Sequence, residues 1–374
     1  MFTTIIFFII ILGVLVFVHE FGHFIVAKKS GMQVDEFGFG FPPRIGGVYK
    51  SGGKWKFIFG SKQPTDIDQG NTVYSLNAIP LGGFVKIVGE NNEDETNPKS
   101  FINKGFWPRL FTLVAGVVMN VILAWVLLSI GYMVGMKVGV NTLSDVPAGA
   151  SFTNAQMQIT EVVKDLPAYN SGLKPEDIIV SLDGQKFETV KDIQEYVKVH
   201  AGSQIDFGLK RASGDLNLKV TPSVNPPEGQ GPTGIAIALV GKLQYVWYQA
   251  LWEGAVTTGK GLVGIVSGLY QLFAGNIGFG NLGGPIQIAK IVGVVKQSGI
   301  LALLNLTAFL SLNLAVLNIL PFPALDGGRV LFLIIEKIRR KRNNQKIEQY
   351  VNAFGFVFLI LLMVAVTIND VIRK

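Results

Sequence analysis

The sequence predicts a polytopic α-helical membrane protein with about four transmembrane helices, a membrane-associated β-element and an inserted soluble α+β domain. Three observations carry that reading. Hydrophobic residues make up 49% of the 374-residue chain and charged residues only 16%, with a mean hydropathy of +0.41; the length alone would suit two or three soluble domains, the composition does not. Several uncharged runs reach the roughly 20 apolar residues that cross a bilayer. The basic excess behind the net charge of +7 gathers in short loops beside those runs, as in cytoplasmic loops rather than a nucleic-acid-binding face. No nucleic-acid partner is expected. The absence of cysteine excludes disulfides, thiolate metal sites and cysteine nucleophiles.

Residues 1–30 hold the first span. Phe2 to Ala27 would make a helix of roughly 39 Å, and Lys28 and Lys29 mark its far end as cytoplasmic. The segment lacks a basic n-region and an A-x-A-like cleavage site, so it reads as a retained helix rather than a signal peptide. Residues 31–103 change character. From Gln33 to about Gly89, stretches such as "GFGFPPRI", "WKFIFG" and "PLGGFVKIVG" read as strands and turns, followed by the acidic loop "ENNEDETNP". This is the β-element, on the cytoplasmic side. Residues 104–138 hold the second span, about Leu110 to Met136, entered past Lys104 and Arg109.

Residues 139–240 are soluble in character. "QITEVVK" alternates as a strand, and "IIVSLDGQKF" is a strand with an Asp-Gly turn. "TVKDIQEYVKVH" has helical period, and "QIDFGLKR" with "LNLKVTPSV" reads as a hairpin around Ser213-Gly214. A third segment follows at 301–336 (Leu301 to about Ile335) and a fourth span at 351–374 (Val351 to about Ile368), parted by a basic cytoplasmic loop at 337–350. The stretch Tyr245 to Ala289, within 241–300, is apolar enough to tempt a fifth span. A crossing there would put the basic loop outside and separate Asp326 from His19 and His23, so we read extracytoplasmic helices at the interface. Four spans put both termini outside; Arg373 and Lys374 count against it.

His19-Glu20-Phe21-Gly22-His23 is an H-E-x-x-H sequence. On a helix, residues i and i+4 lie on one face about 6 Å apart, so two imidazoles can share a metal ion. Glu20 can reach a metal-bound water and take its proton, chemistry that zinc makes available at neutral pH. The competing reading, histidines merely hydrogen-bonded to neighbours, is weakened by the glutamate. A carboxylate near mid-membrane costs roughly 2.5–3.5 kcal/mol, so structural uses are uncommon. A catalytic zinc needs a third protein ligand, and downstream "FIVAKKSG" offers neither histidine nor acid. Among the other spans only the third carries a carboxylate, Asp326 in "LNILPFPALDGGR". Pro321 and Pro323 break helical hydrogen bonding before it, and Gly327 and Gly328 allow close backbone approach after it. The alternative for Asp326 is a helix cap or a pair with Arg329. Asn318 is either a substrate contact or a helix–helix hydrogen bond. Asn120 in "AGVVMN" reads as helix packing, and His200 as a surface or helix-end residue.

Together these residues resemble the site-2 protease family of intramembrane zinc metalloproteases, nearest its bacterial regulator-of-sigma-E protease type. The first motif stands intact at His19–His23, and the family's N-x-x-P-x-x-x-L-D-G stands from Asn318 to Gly327. Two such motifs in different spans are specific, and the resemblance covers almost the whole chain. It implies one Zn2+ per chain held by His19, His23 and Asp326, with Glu20 as general base and Asn318 holding substrate. "PLGGFVK" is similar to the family's β-element, whose edge pairs with substrate, which marks Gly82, Gly83 and Phe84 as substrate-binding. Adding substrate as a strand exposes a peptide bond that a helix shields; a plain interfacial hairpin is the alternative. "SGLKPEDIIVSLDGQKF" is similar to a bacterial PDZ domain, present once. Glu176 stands where a turn glycine is usual there, and Val117 where the family has proline in the second span.

The resemblance implies a multi-pass zinc endopeptidase of the bacterial cytoplasmic membrane. Its partners would be the lipid bilayer and single-span membrane proteins or peptides, such as membrane-anchored regulators or signal-peptide remnants. The PDZ-like domain would be extracytoplasmic, contacting peptide or filtering by size, with the active site toward the cytoplasm. Two rivals are a metal-binding transporter, since broken helices with polar groups also mark ion pathways, and a scaffold presenting the PDZ-like domain. Glu20 argues against both, because holding a metal does not need it and hydrolysis does.

Overall fold

The structure, a computed structural model, describes residues 2–68, 70–90, 96–211, 214–227, 229–276, 278 and 283–372. Residues 91–95 of the acidic loop, Ser213 of the expected hairpin turn, and Arg373 and Lys374 lie outside the described residues. In chain order the helices are α1 (Phe2–Lys29), α2 (Phe106–Val134), α3 (Pro167–Asn170), α4 (Val190–Val199), α5 (Trp247–Phe273), α6 (Pro285–Val295), α7 (Ile300–Ile319), α8 (Asp326–Arg339) and α9 (Gln345–Ile372). The strands are β1 (Val34–Ser51), β2 (Lys54–Phe59), β3 (Val73–Ile87), β4 (Met136–Val140), β5 (Ser151–Val162), β6 (Ile178–Leu182), β7 (Ile205–Arg211), β8 (Gly214–Val220) and β9 (Ile235–Gln244). They form two compact units, residues 1–129 with 251–374, and residues 130–250.

In the first unit, four helices among the described residues are long and apolar enough to cross a membrane: α1, α2, α7 and α9. α1 is an apolar run without proline, closed by Gly31 at φ +66° and by a bond from Met32 N–H to the Ala27 carbonyl at 2.9 Å, a glycine-based helix stop. Its N-terminal half packs Ile11 and Leu15 against Val292 of α6 and Leu303 of α7. Its C-terminal end joins Leu113 of α2 and Leu333 of α8 in a second cluster. Gly22 brings α1 against α2, since a Cβ there would lie 2.5 Å from the Ala115 carbonyl oxygen.

The stretch expected as one segment from Leu301 to about Ile335 is two helices. α7 stops at Ile319, because Pro321 and Pro323 cannot donate and disfavour helical backbone before them. Ala324 takes φ +71°, and α8 restarts at Asp326. α9 steadies this turn: Asn352 Oδ1 accepts from Ala324 N–H at 3.2 Å, and Phe358 packs on Phe322 with centroids 5.6 Å apart. In the stretch Tyr245 to Ala289, α5 is one continuous helix of 27 residues, outside the four that meet the span criteria.

The β-element forms the expected sheet, in the order β2-β1-β3. β1 folds back on itself, so residues 74–76 of β3 pair both with Phe37–Phe39 and with Gly46–Val48, while residues 83–87 of β3 pair with 34–39.

In the second unit, β4-β9-β5-β6-β7-β8 make a six-stranded sheet of antiparallel neighbours, with α4 over its core. Ile159, Leu182, Ile193, Ile205, Phe207 and Val220 are buried there. The strands and helix read from the sequence all form. Asp183 and Gly184 make the turn after β6 at φ +48° and +80°. His200 caps the end of α4, its Nδ1 2.8 Å from the Tyr196 carbonyl oxygen.

Candidate metal centre and active site

α1 presents His19 and His23 one turn apart, 6% and 7% exposed. Their Nε2 atoms lie 3.2 Å apart. Asp326, first residue of α8, brings Oδ2 to 3.0 Å from His19 Nε2 and 3.4 Å from His23 Nε2. Among the described residues, His19, His23 and Asp326 form a group whose ligand atoms lie within 4.8 Å of one another. The turn between α7 and α8 puts Asp326 there. A Cβ on Gly327 would overlap the carbonyl oxygens of Ile319 and Leu320, and one on Gly328 that of Phe322. Only glycine lets α8 begin this close to the end of α7. Arg329, the alternative partner for Asp326, forms an ion pair with Glu90.

The donor set fits a cation. His23 Nδ1 lies 2.7 Å from the Thr112 carbonyl oxygen; that oxygen can only accept, so Nδ1 carries a proton, and in the neutral ring Nε2 is then the bare nitrogen. Asp326 Oδ2 is buried and has no hydrogen-bond donor. Bare nitrogen and carboxylate lone pairs converging in a buried space repel unless a positive charge lies between them. Glu20 is half-buried and within electrostatic reach of His23, His19, Glu90 and Asp326. A carboxylate beside such a centre can accept a proton from water and release it to a leaving group.

Asn318, near the end of α7, reaches the same place, its Nδ2 3.4 Å from His19 Nε2. Gly82 and Gly83 run against α1 one turn before His19. A Cβ on Gly82, at φ +106°, would lie 2.5 Å from Val16 Cβ, and one on Gly83 would lie 3.4 Å from Phe17 Cα. Phe84 pairs with Gly38 in the sheet. The structure thus gathers His19, His23, Asp326 and Asn318 in one cluster and sets the Gly82–Phe84 strand beside α1.

Two residues of α2 belong to the cluster that sequence reasoning did not assign to it. Asn120, read as helix packing, is fully buried, with its amide 3.2 Å from His19 Nδ1. The atom placed there is Nδ2. For His19 Nε2 to hold a metal, Nδ1 must carry the proton, and the Asn120 amide turned over would accept it through Oδ1, which is buried without a hydrogen-bond partner. Its backbone carbonyl does serve packing, accepting from Ser311 Oγ at 2.7 Å. Gly116 leaves the space for the imidazoles: a Cβ there would overlap His23 Nε2 and His19 Nε2. The available signal was the one-turn spacing of glycine and asparagine in an apolar helix.

Two imidazoles and a glutamate on an apolar helix, met by a carboxylate from α8, are the donor set a metallopeptidase centre would need. Comparison with known proteins agrees. The family model described as peptidase family M50 matches residues 7–61 and 57–362, and the chain belongs to that family. A Clostridium perfringens protein provisionally named a zinc metalloprotease is 34% identical, over 98% of this chain and 98% of its own. The regulator of sigma-W protease RasP of Bacillus subtilis is 30% identical, over 99% of this chain and 98% of its own. The PDZ domain of an SdrC-like protein from Listeria monocytogenes covers 23% of this chain and 92% of its own, at 19% identity and a TM-score of 0.21, a likeness too slight to argue from.

Proposed function

We propose that this metalloprotease is an intramembrane zinc endopeptidase that cuts single-span membrane proteins or peptides within their membrane segments. The observation that carries the reading is the meeting of His19 and His23 from α1 with Asp326 from α8, on and beside helices apolar enough to span a bilayer. The nearness of the lysine-bearing end of α1 to the start of α2 and to α8 supports a site toward the cytoplasmic face of a bacterial cytoplasmic membrane, with the PDZ-like second unit extracytoplasmic.

His19 Nε2, His23 Nε2 and Asp326 Oδ2 would hold the zinc. Bound there, zinc supplies Lewis-acid activation of water and of the scissile carbonyl. Glu20 takes the proton from the attacking water as the new C–O bond forms, and delivers it to the amide nitrogen as the C–N bond breaks. Thr112 and Asn120 keep both imidazoles in the tautomer that leaves Nε2 free. The Gly82–Phe84 segment receives the substrate as an added strand, which unwinds its helix and exposes the bond, and Asn318 donates to the substrate backbone. Fitting substrates are membrane-anchored regulators already trimmed by another protease, or signal-peptide remnants; the PDZ-like unit contacts peptide or excludes untrimmed proteins by size.

The test is cleavage of a model single-span substrate by purified protein in lipid vesicles, with product masses locating the cut. We expect a cut inside the apolar segment, lost on zinc chelation and restored by zinc. A cut only in the soluble flanks would contradict the intramembrane reading, and cutting that survives complete zinc removal would contradict the metal's part.

A further inference from the structure

We propose that a basic cavity between the start of α2 and the end of α8 binds the phosphodiester headgroup of an anionic membrane lipid. The proposal rests on the membrane reading above. The cavity has a volume of about 870 Å³ and is walled by residues 102–106 and 109 on one side and by 333, 336–338 and 340–342 on the other. Six cations line it, Lys104, Arg109, Lys337, Arg340, Lys341 and Arg342, against one carboxylate, Glu336. That carboxylate is already engaged, because Arg109 Nη1 and Nη2 donate to its two oxygens at 2.9 and 3.2 Å. Among the described residues, no ion pair within 4 Å involves Lys104, Lys337, Arg340 or Lys341. Five lining cations besides Arg109 thus share one concave space whose single carboxylate is taken up by Arg109.

Arg109 builds the wall rather than the ligand contact: its side chain is only 12% exposed, paired with Glu336 and laid over the Phe101 ring at 5.2 Å. The remaining lining cations are left for a ligand, and phosphate oxygens are acceptors that guanidinium and ammonium groups suit. The setting favours a lipid over free phosphate. Trp107 and Phe111, 61% and 58% exposed, stack with centroids 5.8 Å apart on the first turns of α2, where aromatic residues mark headgroup depth. Ile338, 75% exposed, lines the cavity itself. An amphiphile covers these apolar groups while its phosphate meets the cations; basic pockets at the cytoplasmic ends of membrane helices suit anionic lipid headgroups.

The experiment uses the full chain, first checked for recovery in the membrane fraction and then extracted in neutral detergent. Native mass spectrometry compares binding of phosphatidylglycerol and phosphatidylcholine. The chains are the wild type, Arg340→Gln/Lys341→Gln, the charge-preserving Arg340→Lys/Lys341→Arg, and Lys186→Gln/Lys198→Gln, which removes the same charge from the second unit. We expect a phosphatidylglycerol preference that falls roughly tenfold or more in the cavity variant and survives in the other two. No preference in the wild type, or an equal fall in the second-unit variant, would overturn the lipid site. Displacement of phosphatidylglycerol by inorganic phosphate at matched concentration would overturn the lipid assignment in favour of free phosphate. Recovery of the chain as a soluble protein would instead overturn the membrane reading on which the proposal stands.

Discussion

Gly116 and Asn120 stand one helical turn apart on α2, and both face the His19–His23 pair. Neither offers a metal ligand, yet together they decide whether the imidazoles fit and which nitrogen stays bare. Gly116→Ala is therefore expected to abolish zinc binding, because the added methyl occupies the space of both Nε2 atoms; zinc content of the purified chain checks it. Asn120→Ala should retain the site but weaken zinc affinity about 10–100-fold, measured by competition against a chelator. The H-E-x-x-H spacing was legible because it needs only helical periodicity. The part of Asn120 was not, since an asparagine in an apolar helix looks the same whether it meets a backbone or a ligand. Glu176 shows a local rule broken in the second unit. It holds φ +73°, a left-handed backbone that costs a non-glycine residue about 1–2 kcal/mol. Glu176→Gly should raise the melting temperature of that unit; a fall would show that the side chain contributes more than the strain removes.

At the scale of elements, the turn between α7 and α8 turns an apolar segment into part of a site. Its prolines and glycines were readable as helix punctuation, and so was the carboxylate they flank. That the prolines give a full break into two helices rather than a kink in one was not readable, because proline permits either. Asn352 and Phe358 of α9 hold the turn from outside, and Gly355 packs on Pro323, a Cβ there lying 2.5 Å from the proline Cβ. Gly327→Ala should push α8 away from α7, destabilising the chain by about 1–3 kcal/mol and lowering zinc occupancy with it. Unchanged zinc content in a folded Gly327→Ala protein would contradict the dependence of the Asp326 position on this contact. The doubled pairing of β3 within the folded-back β1 was equally hidden, since "PLGGFVKIVG" reads as a strand whichever arm it meets.

For the whole molecule, the sequence made the alternation of long apolar helices and a sheet-bearing insertion plain, because span-length apolar runs and strand alternation are different patterns along the chain. The second unit has its own core. Phe207→Ala should cost it about 3–5 kcal/mol while leaving zinc content unchanged, a separation that thermal melts and metal analysis of one preparation can establish. Membrane orientation is tested with a single introduced cysteine, made clean by a chain that has none: Lys341→Cys should react with an impermeant label only from the cytoplasmic side. Beneath all of this lies the claim that α1 and α8 close a hydrolytic centre in which Glu20 moves the proton. The most direct measurement is cleavage of a single-span substrate by purified Glu20→Gln protein, with its zinc content determined in parallel. Zinc should be retained at one ion per chain and cleavage lost; cleavage persisting with zinc bound would rule out Glu20 as the proton carrier.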